Sequence, residues 1–290
     1  MTINEKNGGG RKAPTLIIDV RNALYRAIYA HKAEIARGKK PVHPFVILLR
    51  LMSSWLNYHK PKTVHMFWDA PRKEVWRKKI LESYKNRENN QYIVDISEDL
   101  RQMTSICQDI FKYMNVRQFE KSKMEADDLI YTAISIIHPD PTVIISTDSD
   151  MIQIPYRYSS CTLYDPKKEV EVLPPDYNPV LFKALKGDKA DNIPGYRGIG
   201  PKKALKLSYD SRALQEYLQT ADKRVYNWNL LLIDLSLCPR ILNNTIYIRK
   251  KIAEPITFDR VRLLELIKEH KIEGLLAEFN DLVVIFQRLI

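Results

Sequence analysis

The sequence predicts an α/β fold, in which a central, mainly parallel sheet is flanked by helices and followed by a helical C-terminal part. Short apolar, β-rich runs alternate with longer segments of helical periodicity, and this alternation is typical of parallel strands joined by crossover helices. Several of the strand-like runs end on a carboxylate. Beyond Pro174 and Pro175 the pattern becomes helical, with no further clear strand signal.

The strands and helices can be placed in order from apolar runs and from the prolines between them. Leu16-Ile17-Ile18 reads as a strand, and prolines at 41, 44 and 61 separate the helices and strand that follow. Ser97 is a plausible N-cap for the next helix. The predicted order is strand 15–18, helices 22–36 and 45–58, strand 64–68, helix 97–114, strand 116–119, helix 124–137, strand 142–145, and a hairpin of 161–164 with 169–173.

Composition limits the class of protein. A chain of 290 residues that is 45% hydrophobic can bury a large core as one large domain or two modest ones. The net charge of +11 favours a polyanionic partner, with nucleic acid first, although many basic proteins bind no specific partner. Three well-separated cysteines favour a reducing compartment without a disulfide framework. We expect a disordered tail at 1–13, a cytoplasmic location and no membrane segment.

Carboxylates collect at the ends of the predicted strands and in two further segments. A single acid at such a place is commonly a helix cap, but the recurrence favours a site. Nine gathered acids would repel one another strongly unless cations lay between them, so they predict a divalent metal site. The nine are Asp19, Asp69, Glu125, Asp127, Asp128, Asp148, Asp150, Asp188 and Asp191.

The ligand type narrows the choice of metal. An all-oxygen set selects Mg²⁺ or Mn²⁺ rather than zinc, and two such ions close together serve in-line phosphodiester hydrolysis. On an ideal helix Glu125 and Asp128 share a face that Asp127 does not. If the helix begins near Ala126, all three could still converge.

A glycine-bearing segment precedes a predicted helix start. Glycine permits tight turns, and the backbone N–H groups at a helix start can bind phosphate without reading sequence. Lysines at the start of that helix would add charge, although a plain turn with solvated lysines is the simpler alternative for this segment alone. The residues concerned are Gly195, Gly198, Gly200, Lys202 and Lys203.

The segment 186–204, Lys-Gly-Asp-Lys-Ala-Asp-Asn-Ile-Pro-Gly-Tyr-Arg-Gly-Ile-Gly-Pro-Lys-Lys-Ala, resembles the helix–three-turn–helix signature of the 5′-nuclease superfamily, which contains flap endonucleases and 5′–3′ exonucleases. The order of the nine acids is similar to the metal ligands of that family. Tyr84-Lys85-Asn86-Arg87 resembles an element of its helical arch. The chain length most resembles the stand-alone phage enzymes of the RNase H and 5′-exonuclease type.

The resemblance implies an organisation and a metal content. It implies a nuclease core at 14–174 with the arch near 71–96, and a helical region at 175–290 that contains the DNA-binding motif. It implies two Mg²⁺ ions, for which Mn²⁺ can substitute, and a K⁺ ion held by carbonyls of the 195–200 turn. The first Mg²⁺ set is Asp19, Asp69, Glu125, Asp127 and Asp128, and the second is Asp148, Asp150, Asp188 and Asp191.

The resemblance also implies roles for basic and aromatic residues. Lys85 and Arg87 are expected to act in catalysis. Contacts with DNA are expected from Asn22, Arg26, Arg77, Tyr84, Gly195, Gly198, Gly200, Lys202 and Lys203. The sequence departs from the family pattern at Val20, where glycine is usual, and in the arch element, which is one residue shorter.

The function implied by the resemblance is structure-selective 5′ nuclease activity near junctions of 5′ single strand and duplex. Branched or 5′-tailed DNA, RNA/DNA hybrids and replication proteins are the implied partners of a monomer. Two alternatives remain. A PIN-type ribonuclease also gathers acids at strand ends, but it is usually shorter and lacks the helix–three-turn–helix. A catalytically silent junction-binding protein would need a broken acid set, whereas all nine positions are acidic.

Overall fold

A computed structural model describes residues 12–86, 91–137, 141–220, 223–239, 241–272 and 274–289. Its centre is a six-stranded sheet in the order β3-β2-β1-β4-β5-β6, in which β1 to β5 are parallel and β6 is antiparallel to β5. The strands are β1 (Thr15–Asp19), β2 (Thr63–Phe67), β3 (Arg117–Phe119), β4 (Thr142–Ile145), β5 (Cys161–Asp165) and β6 (Val170–Val172). The prediction of a mainly parallel sheet with a terminal hairpin is confirmed.

The helices connect the parallel strands and form the C-terminal part. They are α1 (Val20–Ala36), α2 (Pro44–His59), α3 (Gln91–Phe111), α4 (Ala126–Ile137), α5 (Gln153–Arg157), α6 (Pro179–Lys186), α7 (Pro201–Tyr209), α8 (Ser211–Thr220), α9 (Lys223–Ile233), α10 (Ile241–Ala253), α11 (Arg260–Glu269) and α12 (Phe279–Leu282). Short 3₁₀ turns cover Arg72–Glu74, Trp76–Lys79, Ser149–Ile152, Leu235–Leu237 and Val284–Arg288. Among the described helices, none combines the length and the apolar character needed to cross a bilayer.

Side chains that alternate along β1 enter two different cores. Leu16 and Ile18 pack with α1, α2 and α3 on one face of the sheet, and Ile17 packs with α4 and α10 on the other. Residues of α11 and α12, including Leu263 and Leu266, belong to the first of these cores. The sequence boundary expected at 174/175 is therefore not a boundary of the hydrophobic core.

Two details of the chain differ from the sequence prediction. The helix expected to begin at Ser97 begins at Gln91, so Ser97 lies inside α3 and is not its N-cap. Ser97 resembles an N-cap, but Ile93 and Ile96 before it continue the apolar spacing of Leu100 and Met103. The arch expected near 71–96 shows two 3₁₀ turns in its described part, and residues 87–90 lie outside the described residues. Val20 is the fully buried first residue of α1.

Candidate metal centre

The strand order reverses between β1 and β4, and the carboxyl ends of these strands frame a cleft. Open α/β sheets bind their ligands at such a reversal. The cleft has a volume of about 240 Å³, and Arg21, Lys78 and Lys85 contribute positive charge to its wall. Six of the nine predicted acids line it, namely Asp19, Asp69, Glu125, Asp127, Asp148 and Asp191.

Asp19 is held at the end of β1 by two hydrogen-bond donors. Its Oδ1 accepts the Asn22 N–H at 3.1 Å and thereby caps α1, and its Oδ2 accepts the Ser146 hydroxyl at 3.1 Å. Burial raises the pKa of Asp19 to about 7, and the negative charges of Asp69 and Asp148 add to this effect. A carboxylate that is so costly to ionise without a cation is a suitable ligand for one.

Asn22 joins the start of α1 to the segment after β4 by two hydrogen bonds. Its Nδ2 donates to the Thr147 hydroxyl at 2.7 Å, and its Oδ1 accepts the Thr147 N–H at 3.2 Å. Ser146 Oγ also accepts the Asp148 N–H at 3.0 Å. Asn22, which was expected to contact DNA, thus lines the cleft and also positions the loop that carries Asp148.

Glu125 lies where β3 leads into α4, and three side chains surround it. Arg77 Nη1 donates to Glu125 Oε2 at 2.6 Å, Lys85 Nζ to Oε1 at 2.8 Å, and the Tyr84 hydroxyl to Oε2 at 3.2 Å. Although burial opposes it, the charges of Lys85 and Arg77 lower the pKa of Glu125 to about 2. Burial and the charge of Asp148 raise the pKa of neighbouring Asp127 well above its usual value.

Asp128 departs from the predicted ligand set. It is fully buried, and its carboxylate accepts Arg77 Nη2 at 2.7 Å, Arg77 Nη1 at 3.0 Å and the Trp76 indole N–H at 2.8 Å. Asp128 therefore orients Arg77 in this structure and does not line the cleft.

Arg77 and Tyr84 also differ from their predicted role as DNA contacts. Arg77 is 2% exposed and its Nε donates to the Leu232 carbonyl at 2.8 Å, while Tyr84 is 3% exposed. Neither side chain presents a surface to nucleic acid here, because both pack between Glu125 and the C-terminal helices. Arg26 does not line the cleft, and the acids whose charge acts on it are Asp165 and Glu169. Arg87 lies outside the described residues.

A second acid group adjoins the cleft. Oxygens of Asp150, Asp188 and Asp191 lie within 4.8 Å of one another, which is close enough for one ion to join them. Lys183 of α6 is paired with Asp150 and with Asp188. Burial raises the pKa of Asp150 to about 6, against the opposing charge of Lys183. Asp191 belongs to both groups and so connects them.

The loop that carries Asp188 and Asp191 is fixed by two glycines in close contact. A Cβ on Gly187, which has φ +79°, would lie 2.3 Å from the Gly195 nitrogen, and one on Gly195 would lie 2.2 Å from the Lys186 oxygen. No side chain larger than hydrogen fits at either place without displacing backbone. The glycines thus close the loop that holds these two acids in the second group.

The turn before α7 presents its predicted lysines outward. Gly198 has φ +78°, Gly200 is the N-cap of α7, and Pro201 occupies the first helical position. Lys202 and Lys203 are exposed in the first turn, where the helix dipole is positive. Lys203 Nζ lies 4.4 Å from the centre of the Tyr217 ring.

The donor set fits divalent metal ions. Every predicted ligand offers carboxylate oxygen, and the described acids at the cleft and in the adjoining group are brought together by five separate segments of the chain. Hard cations such as Mg²⁺ prefer oxygen ligands of this kind. Burial and the charges of neighbouring acids raise the pKa values of Asp19 and Asp127, and a bound cation would offset both effects.

A family model for the 5′-3′ exonuclease N-terminal, resolvase-like domain matches residues 14–179, which is more than half of the chain. The chain belongs to the 5′-3′ exonuclease family. The matched residues contain β1 to β6 and all the acids of the cleft except Asp191. The second acid group lies partly beyond the match, because Asp188 and Asp191 follow it.

Relatives of this family member include a protein of similar length and much longer ones. A 5′-3′ exonuclease of Mycoplasma genitalium is 28% identical over 306 aligned residues, covering 92% of this chain and 99% of the relative. DNA polymerase I of Streptococcus pneumoniae is 27% identical over 233 residues, covering 73% of this chain. The chain spans about a quarter of the length of the polymerase relatives that it matches.

Solved structures of phage T5 proteins share the fold. A T5 flap endonuclease in a pseudo-enzyme–product complex with DNA and metal ions superposes with a TM-score of 0.62 at 20% identity, covering 88% of this chain and 99% of that one. A T5 5′-exonuclease with bound zinc gives 0.56 at 21% identity, covering 88% and 97%.

Sequence reasoning missed two of the cations that act on these acids, Lys183 and Arg21. Lys183 contacts two of the three acids in the second group, and Arg21 Nη1 lies 3.6 Å from Asp69 Oδ2. Arg21 could have been found, because it is two residues after Asp19 at the start of a helix. Lys183 carried no signal, since a lysine near the end of a helix is usually solvated.

Proposed function

We propose that this chain is a divalent-metal-dependent, structure-selective 5′ nuclease that acts as a flap endonuclease and a 5′–3′ exonuclease. One observation supports the proposal above the others: acids from separate segments meet at the sheet reversal, and Asp188 and Asp191 sit on the same loop that leads into the α7 turn. A metal-ion pair and a phosphate-binding helix start would thus lie side by side.

Two Mg²⁺ ions would be held by the two acid groups, and Mn²⁺ would substitute for them. Bound there, the ions would polarise the scissile phosphodiester and stabilise the charge that develops during in-line displacement by water. Asp19, Asp69, Glu125, Asp127 and Asp148 would hold one ion, and Asp150, Asp188 and Asp191 the other. Asp128 would act indirectly, through Arg77. A K⁺ ion at the carbonyls of the 195–200 turn would add a contact to the duplex backbone.

The chain's own residues would bind and orient the substrate. The α7 start with Lys202 and Lys203 would bind duplex phosphates, which fixes the position of the junction without reading sequence. Lys85, in the cleft wall, would place a positive charge beside the scissile phosphate. Although burial lowers it, the charge of Glu125 holds the pKa of Lys85 well above its usual value, so this cation persists at neutral pH. Arg87 would assist from the arch.

The substrate would be branched or 5′-tailed DNA, and RNA/DNA hybrid at primers. Fusion to polymerase in relatives such as the Streptococcus pneumoniae protein supports a task in DNA replication, with replication proteins as partners. The neighbour bound to DNA and metal ions supports the same substrate class. These substrates would place a monomeric enzyme in the cytoplasm, and in the host cytoplasm for a phage-encoded chain.

The test uses a 5′-labelled flap and a blunt duplex of the same sequence, each with Mg²⁺, Mn²⁺ or EDTA. We expect metal-dependent cleavage of the flap near the junction, little cleavage of the blunt duplex, and loss of cleavage in Asp148→Asn with near-normal flap binding. Asp281→Asn, an exposed acid on α12, is the matched control and should cleave normally. Cleavage of single-stranded RNA alone would favour the PIN-type alternative. Flap binding without cleavage would favour the silent binder.

A further inference from the structure

Lys183 places its ammonium group inside the second acid group. Its Nζ is paired with Asp150 and lies 2.5 Å from Asp188 Oδ2. The three side chains are between 16% and 19% exposed, so water screens the contacts only in part. Asp150 and Asp188 are also two of the three residues whose carboxylate oxygens, with one from Asp191, come within 4.8 Å of one another.

The Lys183 ammonium and a divalent metal ion would compete for the same carboxylate oxygens and would repel each other. A metal ion takes carboxylate oxygens at roughly 2.0–2.6 Å, and Lys183 already occupies oxygens of two of the three acids. A second cation within a few ångströms of the ammonium would be repelled strongly in a partly buried site. Loading of this site would therefore require the lysine side chain to move.

The structure offers room for that movement. A second cleft of about 220 Å³ adjoins the group and is lined by Asp150, Tyr177, Phe182, Lys183 and Lys186. Lys183 lies on α6 and lines this cleft, so the cleft is the space into which a change of side-chain rotamer would carry the ammonium away from the acids.

We propose that Lys183 is an internal counter-ion that occupies the second metal site when no metal is bound, so that the second ion binds only after the lysine has swung out. This inference rests on the proposed function, because it assumes that the acid group is a metal site. The lysine would stabilise the metal-free protein by balancing Asp150 and Asp188. It would also weaken metal binding. The apparent affinity would equal the intrinsic affinity multiplied by the fraction of molecules in which Lys183 is outside the site.

The test measures metal binding rather than cleavage. Mn²⁺ and, separately, Mg²⁺ are titrated by calorimetry into wild type, Lys183→Met and the matched control Lys206→Met, an exposed lysine on α7 that does not line the second cleft. If Lys183 fills the site in about nine molecules of ten, Lys183→Met should bind the more weakly held of its two metal ions about tenfold more tightly. Lys206→Met should match wild type.

Thermal unfolding gives a second measurement on the same proteins. In EDTA, Lys183→Met should melt below wild type, because Asp150 and Asp188 lose their counter-ion. On addition of Mn²⁺ its melting temperature should rise by more than that of wild type. Lys183→Arg keeps the positive charge and should bind the more weakly held metal ion no more tightly than wild type. This variant tests the inference even if Lys183→Met does not fold.

The outcomes separate the two proposals. If wild type and Lys183→Met bind the more weakly held metal ion with equal affinity, the counter-ion role would be overturned, while the proposed metal site would stand. Tighter binding by Lys183→Arg would overturn it as well. If wild type binds neither Mn²⁺ nor Mg²⁺, the proposed function as a metal-dependent nuclease would be overturned instead.

Discussion

Arg77 connects more of the site than any acid does on its own. Its guanidinium contacts Glu125, Asp128 and the Leu232 carbonyl, and it is almost completely buried. The charges of Asp128 and Glu125 overcome the effect of burial and raise its pKa well above the usual value. The guanidinium therefore fixes the orientation of Glu125 and ties it to the end of α9.

Replacement of Arg77 should chiefly affect stability. Arg77→Met leaves two acids in the interior without their partner, and breaking a buried ion pair on one side costs about 3–5 kcal/mol. Urea denaturation in EDTA measures this loss, with the exposed neighbour Lys79→Met as the control that should be close to wild type. If Arg77→Met is as stable as wild type but binds the flap more weakly, the result would instead support a role of Arg77 in DNA contact.

Lys85 should matter for rate more than for affinity. Its Nζ lies 2.8 Å from Glu125 and 3.9 Å from Asp191, at the place where the scissile phosphate would sit. Removal of one such preorganised donor lowers the rate by about 10²-fold or more. Single-turnover cleavage of a flap by Lys85→Ala should show this loss, while affinity falls far less because other phosphate contacts remain.

The control for Lys85 is Lys79→Ala, whose side chain is exposed on the preceding 3₁₀ turn. It should lose a little affinity and cleave at a near-normal saturated rate. If Lys85→Ala binds weakly yet cleaves normally once saturated, the segment gathers substrate and takes no part in the chemistry.

At the scale of elements, α5 and the turn after α9 are joined by an ion pair. Both Arg157 Nη atoms donate to the Asp234 carboxylate at 2.8 Å, and the Ser236 hydroxyl and N–H also donate to it. These donors outweigh the effect of burial and lower the pKa of Asp234. A lowered pKa adds stability above the ordinary carboxyl pKa, and this stability is lost as the pH falls through the lowered value.

Asp234→Asn should therefore be destabilised by about 2 kcal/mol at neutral pH, a typical value for hydrogen bonds to a charged group. The gap to wild type should shrink below about pH 4, since the wild-type carboxyl is then becoming protonated as well. Denaturant titrations at several pH values measure the gap. The exposed acid variant Asp281→Asn should show no comparable gap, and a gap independent of pH would contradict the ion-pair explanation.

Local patterns explain which elements and ligands were predictable. The strands were found because Leu16-Ile17-Ile18 and 142–145 are continuous apolar runs, as expected for strands buried on both faces. The acids at their ends were found because each follows such a run. The contact that turns Asp128 away from the cleft could not be predicted, because its partner Arg77 is 51 residues away and helical spacing from Glu125 carries no information about it. The start of α3 was missed because Ser97 resembles an N-cap.

For the whole molecule, electrostatic attraction to duplex DNA should depend on the α7 start. Each phosphate contact that is lost lowers the slope of log K against log[salt] by about 0.9. Replacing both Lys202 and Lys203 with alanine should thus flatten the slope by about 1.8 and weaken binding to any duplex sequence equally. Fluorescence anisotropy at several salt concentrations measures this slope.

The matched control replaces Lys39 and Lys40, an exposed pair that follows the far end of α1. This helix has 17 residues, so the pair lies about 25 Å along α1 from the cleft. Its loss should leave the slope close to that of wild type. Equal flattening by both pairs would show that the basic charge attracts DNA in a diffuse way, without a specific role for the α7 start.

The core shared by α1, α2, α3 and residues such as Leu263, Leu266 and Phe286 has a consequence for synthesis of the chain. A ribosome releases α1 to α3 first, and at about 5–20 residues per second the roughly 150 residues that separate α3 from Leu263 take roughly 8–30 s. Throughout that interval the apolar surface of α2 and α3 against which α11 and α12 pack is uncovered. A chaperone that binds exposed apolar segments would therefore have a defined period in which to hold the nascent chain before its own last helices take the same place.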